Sequence, residues 1–117
     1  MVIVEDMRKT EQVEEIIYNY SYHLIKESME LYSNVKMVYV QSYGIEVERQ
    51  DSKDGIIFNI ERNYIENISP YRHKVQNLNK LLWKNTVSPI HIVDVIGEYV
   101  DDFASDYDIK ELEIAIN

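Results

Sequence analysis

The stretch VKMVYVQSYGIEVERQDSKDGIIFNIERNY, Val35 to Tyr64, decides the architecture. Its odd positions Val35, Met37, Tyr39, Gln41, Tyr43, Ile45 and Val47 are mainly apolar, with Lys36, Ser42, Gly44, Glu46 and Glu48 between them. A period of two with one apolar face marks a half-buried strand. The next run is expected to cover Ile56, Phe58, Ile60 and Tyr64 and to leave Asn59, Glu61 and Asn63 open. Between the runs, Gln50 to Gly55 is turn chemistry, and Asp54-Gly55 supplies the positive φ that a tight hairpin needs. One face of this hairpin is meant for water and the other calls for helices as cover. Gly44, inside the first strand, predicts a bulge or a close backbone approach.

Toward the amino terminus, Ile16, Tyr18, Tyr20, Tyr22 and Leu24 line one side of a further strand, with Glu15, Asn19, Ser21 and His23 on the other. Alternate tyrosines suit a base-stacking platform, but the cationic groove that accompanies one is missing, so the stripe reads as core cover. Lys26 to Asn34 is expected to be a polar connection, giving a three-stranded meander. Residues 1–12 fit an edge strand or a loose arm equally well.

Toward the carboxyl terminus, Ser69-Pro70 and Ser88-Pro89 each announce a helix, serine as N-cap and proline in the first turn. In the first helix Tyr71, Val75, Leu78 and Leu82 form the apolar stripe. Opposite lie His73, Asn77, Lys80 and Lys84, a weakly basic stripe on an acidic chain, with Trp83 at the border. These five residues are the candidate protein-interaction surface. Asn85 to Val87 is short enough to make the two helices a hairpin. The second helix is expected to present Ile92, Val93, Ile96, Tyr99, Val100 and Phe103 over a broad covered face, with His91, Asp94, Glu98, Asp101 and Asp102 on the far side. Gly97 in its middle predicts a close helix crossing. In the tail, residues 109–117, Leu112, Ile114 and Ile116 alternate with Glu111 and Glu113. That pattern suits an edge strand or a disordered end. The expected fold is α+β, a three-stranded antiparallel meander covered on one face by a two-helix hairpin in the order β-β-β-α-α.

A chain of 117 residues with 45% hydrophobic content supports one core, hence one domain. It has no cysteine, which removes thiol nucleophiles, zinc-thiolate sites and disulfides. No apolar run reaches membrane-spanning length, so the default expectation is a soluble cytoplasmic protein. The formal charge of -9 argues against direct nucleic-acid binding, which relies on cations displacing counterions; it is compatible with a basic protein partner or with mimicry of nucleic acid, and it also serves plain solubility. The three glycines are scattered, which excludes a phosphate cradle. His91, Asp94 and Glu98 share a helical face without a second ligand set, and Asp101 to Asp108 lacks the glycine of a calcium loop. His23, His73 and His91 lie on different elements with no evident orienting partner, and no cofactor is implied.

The blocks YNYSYHLIKE (Tyr18 to Glu27), VQSYGIEVER (Val40 to Arg49), ISPYRHKVQNLNKLLWKN (Ile68 to Asn85) and VSPIHIVDVIGEYVDDF (Val87 to Phe103) resemble a family of small clostridial proteins of unknown function. The resemblance implies a bacterial cytoplasmic origin and carries no activity. The leading functional expectation is a non-enzymatic interaction or regulatory module with an unknown protein partner, a homodimer through sheet edges being compatible with it. Behind it stand an acidic inhibitor that mimics nucleic acid, and then a small-ligand binder or enzyme using the tyrosine-lined sheet.

Overall fold

The computed structural model describes residues 2–33 and 36–116. Its sheet has four antiparallel strands in sequential order, β1 (Val2–Val13), β2 (Ile16–Ser33), β3 (Lys36–Lys53) and β4 (Ile56–Ser69). They are followed by α1 (Arg72–Lys84), a 3-10 turn (Pro89–His91), α2 (Ile92–Phe103) and α3 (Asp106–Ile116). The α+β class and the carboxy-terminal helices agree with expectation. The strand count does not, because Val2–Val13 is a full strand rather than an arm, Met1 lying outside the described residues.

β1 was obscured by its turn. Val13 pairs with Ile16 across Glu14-Glu15, and Glu14 takes φ 55 although it is not a residue that announces a tight turn. By contrast Asp54 and Gly55, at φ 53 and 78, give the β3–β4 turn two positive φ values in a row, as expected for a hairpin matched to strand twist.

The polar connection expected at Lys26 to Asn34 is also corrected, since β2 continues to Ser33. It pairs with β3 without a register shift from Ile16↔Lys53 to Ser33↔Lys36. Cross-strand bonding along this ladder satisfies the backbone, so polar side chains such as Glu27 and Ser28 are carried on the strand. Asn34 and Val35 lie outside the described residues.

The ladder buries different parities along its length. Tyr20, Tyr22 and Leu24 on β2, with Tyr43, Ile45 and Val47 on β3, enter one core with Val75, Leu78 and Leu82 of α1, joined by Ile92 and Ile96 of α2. Further along, the buried pairs are Met29↔Val40 and Leu31↔Val38, of the opposite parity, and they pack with Tyr107 and Ile114 of α3. Period-two alternation therefore puts the second cluster on the other face of the ribbon. Met37 and Tyr39, expected under cover, are exposed, because α3 lies over their neighbours instead. Within the described residues the tail is helical up to Ile116, not an edge strand, and Asn117 lies outside them. Tyr107 and Ile114 stand two helical turns apart, and Asp106 and Asp108 sit in the first turn, where the helix dipole favours negative charge. The molecule is long, 58 × 23 × 18 Å with a radius of gyration of 16.8 Å, against about 13 Å for a compact chain of this length.

Neither serine caps a helix through its side chain. α1 begins beyond Ser69-Pro70, and Ser69 Oγ instead accepts the Tyr71 N–H (3.1 Å) and donates to Asp106 (2.8 Å). Ser88 does precede a Pro-initiated turn, where its carbonyl accepts the His91 N–H at 2.9 Å.

Two glycines separate cleanly in their reasons. Gly44 sits at a shift in the β3–β4 register, and a Cβ there would lie 2.5 Å from the Ile65 carbonyl oxygen. At Gly97 a Cβ would meet only Val93 Cγ1 at 3.7 Å, so no close helix crossing occupies that position. Gly44→Ala is expected to destabilise by about 1–3 kcal/mol through overpacking. Gly97→Ala is expected to stabilise by about 1 kcal/mol by removing helix-interior glycine. Urea denaturation of both variants checks the pair of opposite signs.

Candidate functional site

The α1 stripe comes first, since the sequence singled it out. His73, Asn77, Lys80 and Lys84 are exposed, as expected of an outer helical face. Trp83 stands apart from them. Its indole Nε1–H donates to the Arg8 carbonyl at 3.0 Å, and the Lys9 ammonium lies 5.1 Å from the ring centroid. Lys9 also donates to the carbonyls of Trp83 and Lys84 at 2.9 and 3.3 Å, placing a cation where the helix dipole is negative. The tryptophan therefore fastens the end of α1 to β1. It leaves the rest of the stripe without an apolar anchor.

A second cluster crosses the open face of the sheet. His23 on β2 stands between Asp6 of β1 (Nε2 to Oδ1, 3.2 Å) and Glu46 of β3 (Nδ1 to Oε1, 3.1 Å). These are cross-strand neighbours, and the contact became visible only once β1 was known to be a strand. Beside them Glu48 accepts from Arg62 Nε at 2.6 Å and from Gln50 at 2.8 Å. Burial would raise the Glu48 carboxyl, but these hydrogen bonds hold it below the ordinary carboxylate range. A shallow cavity of about 450 Å³ adjoins, lined by Arg8, Thr10, Asn19, Ser21 and His23 among others. Both ring nitrogens of His23 already face carboxylates, so the arrangement ties three strands together and leaves no nitrogen free to act as a base. Among the described residues no group of three or more histidines and carboxylates could hold a metal ion.

On the inner face near the β3–β4 turn, Arg49 makes a forked contact to Asp51 at 2.7 and 3.0 Å. It also reaches Glu61 at 3.2 Å and lies 5.2 Å from the Tyr18 ring centroid. Asn59 donates to Asp51 at 2.9 Å, and Asn63 donates to the Pro89 carbonyl at 3.1 Å. This network explains a reversal. Asn59, Glu61 and Asn63 take the half-buried positions of β4, and Ile56, Phe58, Ile60 and Tyr64 are exposed. The expectation that those four would be covered is overturned, because inward-facing polar groups found partners on β3 and on the 3-10 turn.

The result is an unpaired edge strand rich in apolar side chains, with Ile56 71% and Phe58 58% exposed. Beyond its edge, Ile60 to Asn63 and Pro89-Ile90 line an open groove of about 400 Å³. Ile90 and Val93 are exposed beside it. Sequence patterning grouped the β4 residues correctly but assigned them to the wrong environment.

A family model described as a family of unknown function, DUF6514, matches residues 1–102. The chain belongs to this family. No curated protein and no solved structure matches it. The DUF6514 match includes β1, which the resemblance read from the sequence blocks had left out, and it takes in the β4 edge, the groove and nearly all of α2. α3 lies beyond the matched residues. It is held to the DUF6514 portion by Asp106, buried against Lys74 (2.8 Å) and Ser69, by Tyr107 hydrogen-bonded to Ser42, and by Tyr71 donating to Glu113 at 3.1 Å.

Two outcomes test these assignments. Burial opposes the charged form of Asp51, but the hydrogen bonds from Arg49 and Asn59 keep its carboxyl below the usual value. A depressed folded pKa contributes stability that is present above the unfolded value of about 3.9 and lost as pH falls through the folded one. Asp51→Asn should therefore flatten the loss of stability as pH falls below about 4, measured by urea denaturation across the acid range. Lys74→Met leaves the buried Asp106 carboxylate without its cation. Amide exchange of residues 107–114 should accelerate in that variant while β2 and β3 stay protected, and unchanged α3 exchange would count against the latch.

Proposed function

We propose that the chain is a non-enzymatic protein-interaction module, acting in the cytoplasm of a bacterium, and that the outer edge of β4 with the adjoining groove is its docking surface. The observation that carries this reading is the contrast between the two edges of the sheet. β1 exposes Val2, Ile3 and Val13 at its ends, but its middle carries Glu5, Asp6, Arg8, Lys9 and Glu11, the charged pattern that discourages pairing with another chain, and Trp83 fastens it to α1. β4 has exposed Ile56, Ile57, Phe58, Ile60 and Tyr64 in one strand. An exposed apolar strand at a sheet edge is an aggregation liability unless it has an occupant. The α1 stripe is the weaker surface, since its one large aromatic is committed to β1.

The tyrosine stripe supports neither base stacking nor a ligand site. Tyr20 and Tyr22 are buried and stacked, and the Tyr22 hydroxyl donates to the Val87 carbonyl at 2.9 Å. Burial raises its phenol well above the ordinary value. Of the carboxylates between Asp94 and Glu113, Asp106 is buried in an ion pair while Asp94, Glu98, Asp101 and Asp102 are exposed, so nucleic-acid mimicry stays the second reading.

The test is retention of partners from a lysate of the source organism by the tagged full chain at low and moderate salt, read by mass spectrometry. Wild type and Lys80→Glu/Lys84→Glu are expected to retain the same partner, and Phe58→Asp/Ile60→Asp to lose it. Both pairs alter exposed positions, where single substitutions usually change stability by no more than about 0.5 kcal/mol, and circular dichroism confirms the fold. A bait that emerges alone at both salts, or a partner indifferent to the β4 change, overturns the proposal.

A further inference from the structure

Three features define the β4 edge more closely. The first is the direction of its backbone. The Tyr64 N–H donates to the Asn63 side-chain oxygen at 2.9 Å, which marks it as turned away from β3. In an antiparallel strand the N–H and C=O of a residue point the same way and alternate along the chain, so Arg62 and Ile60 present theirs on the same outer edge. Among the described residues β4 pairs only with β3, and that pairing is regular from Ile65 to Asn59 before it shifts beyond Asn59. A strand-length run of outward-facing backbone is therefore available.

The second is the groove beside it, to which β4 contributes Ile60 to Asn63 and the 3-10 turn contributes Pro89 and Ile90. Side chains on one face of an added strand would enter there.

The third is charge. Ile90, Asp94, Glu98 and Asp101 follow one another at intervals of four, four and three, so an acidic helical stripe runs away from the groove. Glu98 and Asp101 have no ion-pair partner among the described residues. The cation on the strand itself, Arg62, is taken up by Glu48 at 2.6 Å. With a net charge of -9, a second copy would bring like charge against like, whereas a cationic chain would not.

Resting on the interaction reading, we propose that the occupant is a basic, extended segment of a partner protein that adds to β4 as a fifth strand. Its backbone pairs with Ile60 and Arg62, its apolar side chains enter the groove at Ile60 and Ile90, and its lysines or arginines face Asp94 and Glu98. Main-chain bonds supply the affinity of such strand addition, and the side-chain pockets supply selectivity.

The experiment follows backbone amide exchange in the isotope-labelled full chain with three probes. They are a capped peptide of four Lys-Val repeats, the same length of Glu-Val repeats, and the Lys-Val peptide methylated at alternate backbone nitrogens. The Lys-Val peptide is expected to bind saturably and slow exchange at Ile60 and Arg62 by about tenfold or more, with the other two failing to do so. Asp94→Lys/Glu98→Lys, at exposed helical positions, should weaken that binding by about tenfold, and added salt should weaken it too. Equal binding by the methylated peptide overturns strand pairing, and equal binding by the Glu-Val peptide overturns the charge assignment. Protection of Ile60 and Arg62 without any peptide identifies a second copy as the occupant and overturns the proposal. If the Phe58→Asp/Ile60→Asp variant loses its natural partner while the Lys-Val peptide fails, the interaction reading stands and this inference alone falls.

Discussion

The unbroken ladder between β2 and β3 is the constraint on which the rest depends. Eighteen-residue strands paired without a register shift fix the facing of every side chain they carry, since a slip of one residue would turn each to the other face. That alternation sends Tyr22, Leu24, Ile45 and Val47 toward α1 and Leu31 and Val40 toward α3. A ribbon this long cannot be covered by a helical hairpin on one face. The helices divide instead, α1 and α2 over the proximal half and α3 over the distal half, and the molecule is drawn out accordingly.

Polar contacts then decide where each cover sits. Tyr22 bonds to Val87 and receives the Asn79 side-chain amide at its own carbonyl, 3.2 Å away, so the central aromatic of β2 is tied to both α1 and the following linker. At the far side Asp106 is buried against Lys74 and Ser69. A buried carboxylate is costly unless paired, which makes the position of α3 specific as well as favourable. The apolar surfaces supply driving force, and these few directional bonds select one arrangement among several that would bury similar area.

What the sequence disclosed follows from the physics of each signal. The β3–β4 turn was legible because Asp54-Gly55 has few other uses, and α1 and α2 because their apolar residues recur at helical spacing. β1 was not, since its charged residues look like a loose arm until β2 supplies partners, and its Glu14-Glu15 turn carries no turn chemistry. For the tail, Leu112, Ile114 and Ile116 alternate as a strand would, while the contact that determines a helix, Tyr107 on Ser42, joins residues 65 apart in sequence. The proposed docking surface on β4 shows the same limit in sharper form. Period two tells which residues of β4 share a face, but inward facing is settled by partners such as Arg49 and Pro89 that lie on other elements.

That reversal on β4 also explains why the two edges differ. Inward positions of an edge strand are normally apolar, and the outward ones polar. Here Asn59, Glu61 and Asn63 are turned inward and satisfied, which forces the strand's apolar set outward beside an acidic helix. The cost of leaving isoleucine and phenylalanine in water was open to relief by any polar substitution at an exposed edge position. Ile56, Ile57, Phe58 and Ile60 put four large apolar residues within five positions, whereas the middle of β1, at the opposite edge, is charged at Glu5, Asp6, Arg8, Lys9 and Glu11. A surface under no requirement except to stay in water would have no reason to differ so strongly from its counterpart. On the interaction reading proposed above, contact with another chain is the condition under which β4 is used.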